Sequence, residues 1–136
     1  MKVHGQCHCG AIAYEAEVDP ERVTICHCTD CQALTGTAFR VTVPTSVATF
    51  VLHRGTPKTY LKTTAESGHL RVQAFCDNCG TPIYASAAQN AETYGLRIGA
   101  LAERAQLAPR KQIWCRSALP WSMDVSDLPR AEKEWR

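Results

Sequence analysis

Seven of the eight cysteines in this 136-residue chain stand in three tight groups: GQCHCG (Cys7, Cys9), CHCTDC (Cys26, Cys28, Cys31) and FCDNCG (Cys76, Cys79). Disulfides explain such crowding poorly. The bond needs Cα atoms about 4.4 to 6.8 Å apart with converging side chains, and a group of three thiols always leaves one over. Metal binding explains it better, because thiolates spaced one to three residues apart converge on a single ion. Redox dithiols and free thiols are the alternatives.

The first and third groups each end in glycine, Gly10 and Gly80. A glycine there lets the chain turn through positive φ and present two sulfurs on the same side. Two such turns supply four thiolates, the complement of a closed structural zinc site, so Cys7 and Cys9 are expected to join Cys76 and Cys79. Closing the intervening loop costs about 4 kcal/mol. Structural zinc binding, at about 10 to 16 kcal/mol, exceeds that.

Cys26, Cys28 and Cys31 are then left with three ligands and no evident fourth. Three protein ligands with one open position is the arrangement of a catalytic zinc, whereas a structural zinc is filled by protein. A fully ligated structural site and an unmetallated or redox-sensing cluster remain as alternatives. Cys115, in QIWCRS, reads as a small buried residue or as the missing ligand. His27 and His8 alternate with cysteines and are expected to point away from any shared ion. Asp30, beside Cys31, is either a solvated carboxylate or a group that orients a proton or a water. Trp114, Trp121 and Tyr84 read as core or pocket wall.

Short runs rich in Val, Ile, Thr, Tyr and Phe must carry these groups, and they make the chain mostly β. Strands are expected over 11–17, 39–43, 49–53, 59–63, 70–75, 82–86, 94–98 and 112–115, with HRGTPK (53–58) and ESGH (66–69) as turns. Helix is expected only in single turns, over 29–34 with Thr29 as N-cap and over 86–92. Residues 126–136 form a charged peripheral tail in which Pro129 blocks an early helix.

The length suits one zinc-binding domain over 1–136, with its core over about 3–122. A formal charge of +2, with 15 Lys and Arg scattered along the chain, gives no nucleic-acid footprint. Ionising seven cysteines and adding two divalent ions would move that charge to −1, which argues further against phosphate binding. The opening residues lack an apolar export segment, and no window approaches the roughly 18 apolar residues of a membrane span. A cytoplasmic location with no membrane partner is expected, where clustered thiols serve metal or catalysis.

The order GxCxCG, CxCxxC, CxxCG, followed by IW and LPW near the C-terminus, resembles the glutathione-dependent formaldehyde-activating enzyme family, which includes centromere protein V. The resemblance covers about residues 3–122. It implies an Mss4-like zinc-binding fold of antiparallel sheets with short helical turns and two zinc ions. By that likeness Cys7, Cys9, Cys76 and Cys79 match the structural ligands, and Cys26, Cys28 and Cys31 the catalytic ones. The implied activity is that of a carbon–sulfur lyase joining glutathione and formaldehyde into S-(hydroxymethyl)glutathione. Gln112 stands where the family usually has the histidine of an HIW motif. The alternative is a non-enzymatic zinc module that docks a protein or nucleic-acid partner.

Overall fold

The computed structural model describes residues 1–135; Arg136, part of the expected peripheral tail, lies outside the described residues. The strands are β1 (Lys2–Gln6), β2 (Ala13–Glu17), β3 (Thr24–Cys26), β4 (Arg40–Ser46), β5 (Val51–Arg54), β6 (Lys58–Lys62), β7 (Arg71–Phe75), β8 (Pro82–Ala87), β9 (Thr93–Arg97) and β10 (Lys111–Ile113). One α-helix, α1 (Thr29–Thr35), follows β3. The mostly β expectation is met.

Two sheets result. The smaller has the order β1-β2-β5, and the larger has the order β10-β3-β4-β9-β8-β7-β6. Pairing is antiparallel except at one edge, where β10 runs parallel to β3. The larger sheet is mixed at that edge alone, and the expected fold of antiparallel sheets is met.

Alternation explains why the sheets close on one another. Along β1 every second residue is buried, and β2 places Tyr14 and Ala16 inward. These meet Val43 of β4 and Leu96 of β9 in a single core with Ile12, Ile83, Leu101 and Leu107. An aromatic ladder crosses that core: Tyr14 stacks on Phe50 at 5.3 Å, Phe50 meets Tyr94 edge-on at 5.1 Å, and Tyr94 stacks on Tyr84 at 3.9 Å. Such ring pairs add about 0.5 to 1.5 kcal/mol each beyond the area they bury.

The elements that sequence patterning missed are short. β1 contains Gly5, which lowers its apparent strand propensity, yet Gly5 is required because the Tyr14 ring of the neighbouring strand lies over it. β3 is three residues long and ends in a cysteine. The expected helical turn over 86–92 is absent: β8 runs on to Ala87, paired with Arg71, and the chain reverses through Asn90 at φ 53. Seven residues make too short a helix to outweigh an extended ladder. The last expected strand, 112–115, is instead Lys111–Ile113, because Trp114 turns into the left-handed region at φ 58.

A Cβ built on Gly5 would stand 2.0 Å from the Tyr14 ring. Gly5→Ala should therefore cost about 1 to 3 kcal/mol through forced repacking. Gly99→Ala, where the same atom meets nothing within 4 Å, should stay within about 0.5 kcal/mol of the parent. Urea unfolding of both variants compares the two.

Candidate metal centres

The first centre is assembled from two matching turns. After β1, the Gly10 amide donates to the Cys7 carbonyl at 3.0 Å; after β7, the Gly80 amide donates to the Cys76 carbonyl at 2.8 Å. Each turn then closes back on its strand, Cys7 N–H to the Ile12 carbonyl and Cys76 N–H to the Thr81 carbonyl. Gly10 and Gly80 hold φ of 82° and 80°, the left-handed values that any other residue would adopt under strain. The two turns bring the sulfurs of Cys7, Cys9, Cys76 and Cys79 together, all within 4.8 Å of one another.

These distances fit a tetrahedral ion. Four sulfurs at about 2.3 Å from a common centre are about 3.8 Å apart. The Cys7–Cys9 and Cys9–Cys76 sulfur separations are 3.7 and 3.8 Å. The Ile12 amide donates to the Cys7 sulfur at 3.2 Å. Cys79, beside the Thr81 hydroxyl at 3.2 Å, has its pKa lowered to about 5, chiefly by that hydrogen bond. Backbone amides of Cys79 and Asn78 favour the Cys76 thiolate, but burial and the neighbouring thiols outweigh them and raise its pKa to about 11.

The second group lies at the far end of β3. The structure brings Cys26, Cys28 and Cys31 within the same 4.8 Å, and no fourth His, Cys, Asp or Glu joins them among the described residues. Cys26 closes the strand, and α1 begins immediately after Cys28. The helix N-cap is Cys28, not the expected Thr29: its sulfur accepts from the Cys31 amide at 3.3 Å. A thiolate can replace the usual hydroxyl or carboxylate here because the first-turn amides need only an acceptor.

Their acidities diverge. Cys31 is drawn down to about 5, first by hydrogen bonding from Cys26, against burial, with help from Cys28 and the Arg40 guanidinium. Cys26 is pushed up by its hydrogen bond to Cys31 and by burial, and Cys28 by burial and then by Cys31. At neutral pH the metal-free group thus carries one thiolate stabilised by two thiols.

A cavity of about 420 Å³ opens on this group. Its lining includes Arg40, Lys62, Arg71, Arg97 and Lys111, five cations that sequence reading did not single out. Sheet register places them: Lys111, Thr24, Thr42 and Arg97 stand abreast across β10, β3, β4 and β9. In the next such row Ile113, Cys26 and Arg40 are neighbours. Burial, then Arg40 and Arg71, lowers the pKa of Arg97 to about 9. Its guanidinium donates to Thr42 Oγ1 at 3.0 Å and to Gln73 Oε1 at 2.7 Å.

Other sequence candidates fall elsewhere. Cys115 is exposed and stands outside both sulfur groups, so it is neither the buried residue nor the missing ligand considered above. The left-handed turn at Trp114 carries the chain out of the strand before Cys115. His27 is fully buried, its Nε2–H donating to Gln112 Oε1 at 2.7 Å, and neither it nor His8 joins a sulfur group. Asp30 is held by the Thr64 hydroxyl at 2.7 Å and Lys62 at 3.0 Å, so its carboxylate is tied down. Tyr84 packs against the core and Trp114 lines the cavity mouth, whereas Trp121 is 59% exposed and is not part of that cavity's lining.

Residues 2–117 match the family model described as glutathione-dependent formaldehyde-activating enzyme. The chain belongs to that family. Its fold is Mss4-like, and a protein of known crystal structure from Rhodobacter sphaeroides shares it at a TM-score of 0.61. That similarity covers 82% of this chain and 99% of the other at 22% identity, a likeness of fold. Among curated proteins, none matches. The Gln112 side chain accepts from the buried His27 and so ties β10 to the CHCTDC loop. No helix among the described residues is long and apolar enough to cross a membrane.

Two measurements follow from this chemistry. With Cys26 and Cys28 protonated and Cys31 ionised at pH 7, uptake of one divalent ion by three thiolates should release about two protons. Affinity should therefore rise with pH across the neutral range and fall more steeply below about pH 5, where Cys31 also protonates. Calorimetry in buffers of different ionisation enthalpy counts these protons. Separately, Cys76→Ser should lower the melting temperature by roughly 10 °C or more, with loss of one bound ion, because the two sheets lose their clamp.

Proposed function

We infer that this protein is a zinc-dependent carbon–sulfur lyase acting on the thiol adduct of a small aldehyde, with glutathione and formaldehyde as the family's pair of substrates. The observation that carries this reading is the trio of sulfurs at a cavity wall, with no fourth His, Cys, Asp or Glu beside them among the described residues. Cys26, Cys28 and Cys31 would hold the reactive zinc, and Cys7, Cys9, Cys76 and Cys79 a structural one. Bound there, zinc would supply the positive charge that converts a substrate thiol to its thiolate at neutral pH.

The chain's own residues do the rest. Arg40 beside Cys31 offsets the negative charge that three thiolates accumulate. Ile113 and Trp114 present apolar surface at the cavity edge, against which the carbon chain of a thiol could pack. In the synthetic direction the thiolate sulfur adds to the aldehyde carbon, forming the C–S bond. The carbonyl π pair moves to oxygen, which takes up the proton that the thiol released. Reversal of the same step makes the enzyme a lyase.

The partner-docking alternative draws no comparable support. The only loose basic run, APRKQIWCR, is dispersed in the fold: Arg110 pairs with Glu21, Lys111 lines the cavity, and Arg116 pairs with Glu66 while covering the Trp114 ring.

Exchange spectroscopy by NMR on zinc-loaded protein with glutathione and formaldehyde should reveal adduct formation at least tenfold faster than the spontaneous reaction. Cys28→Ser should remove that acceleration and one zinc while leaving a cooperative unfolding transition. A rate equal to that without protein sinks the formaldehyde activity. Global unfolding of Cys28→Ser means that the second site is structural.

A further inference from the structure

The five cations of the cavity are supplied by five different strands, and no carboxylate appears anywhere in its lining. Lys62 has an ion-pair partner, Asp30 at 3.0 Å, held from just outside that lining. Arg40, Arg71, Arg97 and Lys111 have none among the described residues. Arg40 is 6% exposed, and its Nε lacks any hydrogen-bond partner. Buried positive charge left uncompensated is costly, and a lone unsatisfied donor adds to that cost. Three thiolates with one divalent ion contribute a single net negative charge, which Arg40 beside Cys31 already meets, leaving Arg71, Arg97 and Lys111 without a counter-charge in the lining. The cavity carries a standing demand for anions.

Two further features narrow the demand. Guanidinium forks match carboxylates in paired hydrogen bonds. Lys111 and Arg97 stand three strands apart, about 14 Å by strand spacing, so the charge is spread along the floor and suits separated carboxylates better than one compact phosphate. The lining also offers no acidic group to receive a substrate ammonium. Glu66 and Asp30, in the adjoining cavity, are already paired with Arg116 and Lys62.

We propose that this cavity selects thiols bearing more than one carboxylate and discriminates against those with a free ammonium group, with Arg97 and Lys111 as the specificity-determining residues. The selection rests on the thiol-binding reading given above, because the sulfur end is placed at Cys26, Cys28 and Cys31. The anion contacts themselves are independent of the thiol chemistry. Glutathione, with two carboxylates and one ammonium, would be an intermediate case and not the best fit.

Calorimetric titration of zinc-loaded protein separates the two ideas. Mercaptosuccinate should bind at least tenfold more tightly than 2-mercaptoethanol, cysteamine should bind most weakly, and added salt should narrow the gap. Arg97→Gln and Lys111→Gln should each weaken mercaptosuccinate several-fold while leaving 2-mercaptoethanol unchanged. Lys111 is exposed on an edge strand, so its variant keeps the test valid if Arg97→Gln fails to fold. Succinate, which lacks sulfur, reports the carboxylate contacts alone. Binding of succinate that both variants weaken, together with no advantage of mercaptosuccinate over it, upholds the anion site and removes the thiol reading. Equal affinity for the three thiols, or variants that bind mercaptosuccinate like the parent, overturns the proposal.

Discussion

The architecture depends on one long-range convergence: the sulfurs of Cys9 and Cys76, 67 positions apart in sequence, lie 3.8 Å from each other. One belongs to the turn between β1 and β2 in the smaller sheet, the other to the turn between β7 and β8 in the larger. Joining them pins the two sheets at one end, and the aromatic ladder from Tyr14 to Tyr84 pins them through the middle. Both turns use the same local device, a left-handed glycine after the second cysteine. That repetition lets two unrelated segments offer their sulfurs in the same geometry.

Held in this way, the larger sheet has a second face free to do chemistry. Side chains alternate along every strand, so the register that buries Val43 and Leu96 turns Thr42 and Arg97 to the opposite side. Cys26 ends β3 on that same side, facing Arg40. The core packing therefore dictates which cations surround the sulfur trio. A slip of one residue would bury the arginines and expose the valines.

The CHCTDC loop is made stiff by contacts of ordinary kinds. The Cys28 sulfur caps α1, the Gln32 amide donates to the carbonyls of His27 and Ser117, and the buried His27 ring bonds Gln112. The first two of these contacts hold the loop to its own helix, and the bonds to Gln112 and Ser117 fix it to β10 and to the segment after it. The sulfurs thus begin close together before any ion arrives, and the acidity of Cys31 expresses how strongly the other two thiols stabilise a thiolate there. Trp114, held at φ 58 at the cavity mouth, is a bulky residue in a conformation that costs energy unless its surroundings insist on it.

Much of this was open to reading from the chain alone, and the boundary has a physical cause. Cysteines one to three residues apart cannot be far apart in space, so the three groups, their glycine turns and the β-rich spacing between them followed from covalent geometry and local propensity. The same motifs carried the family resemblance. Whatever depends on segments distant in sequence was hidden: the short strands β1 and β3, the tying of Asp30 to Lys62 and Thr64, the separation of Cys115 from both sulfur groups. The five cations of the cavity left no mark in sequence order because each comes from a different strand. Only the pairing register brings them to one face, and that register is set by which side chains the core can bury.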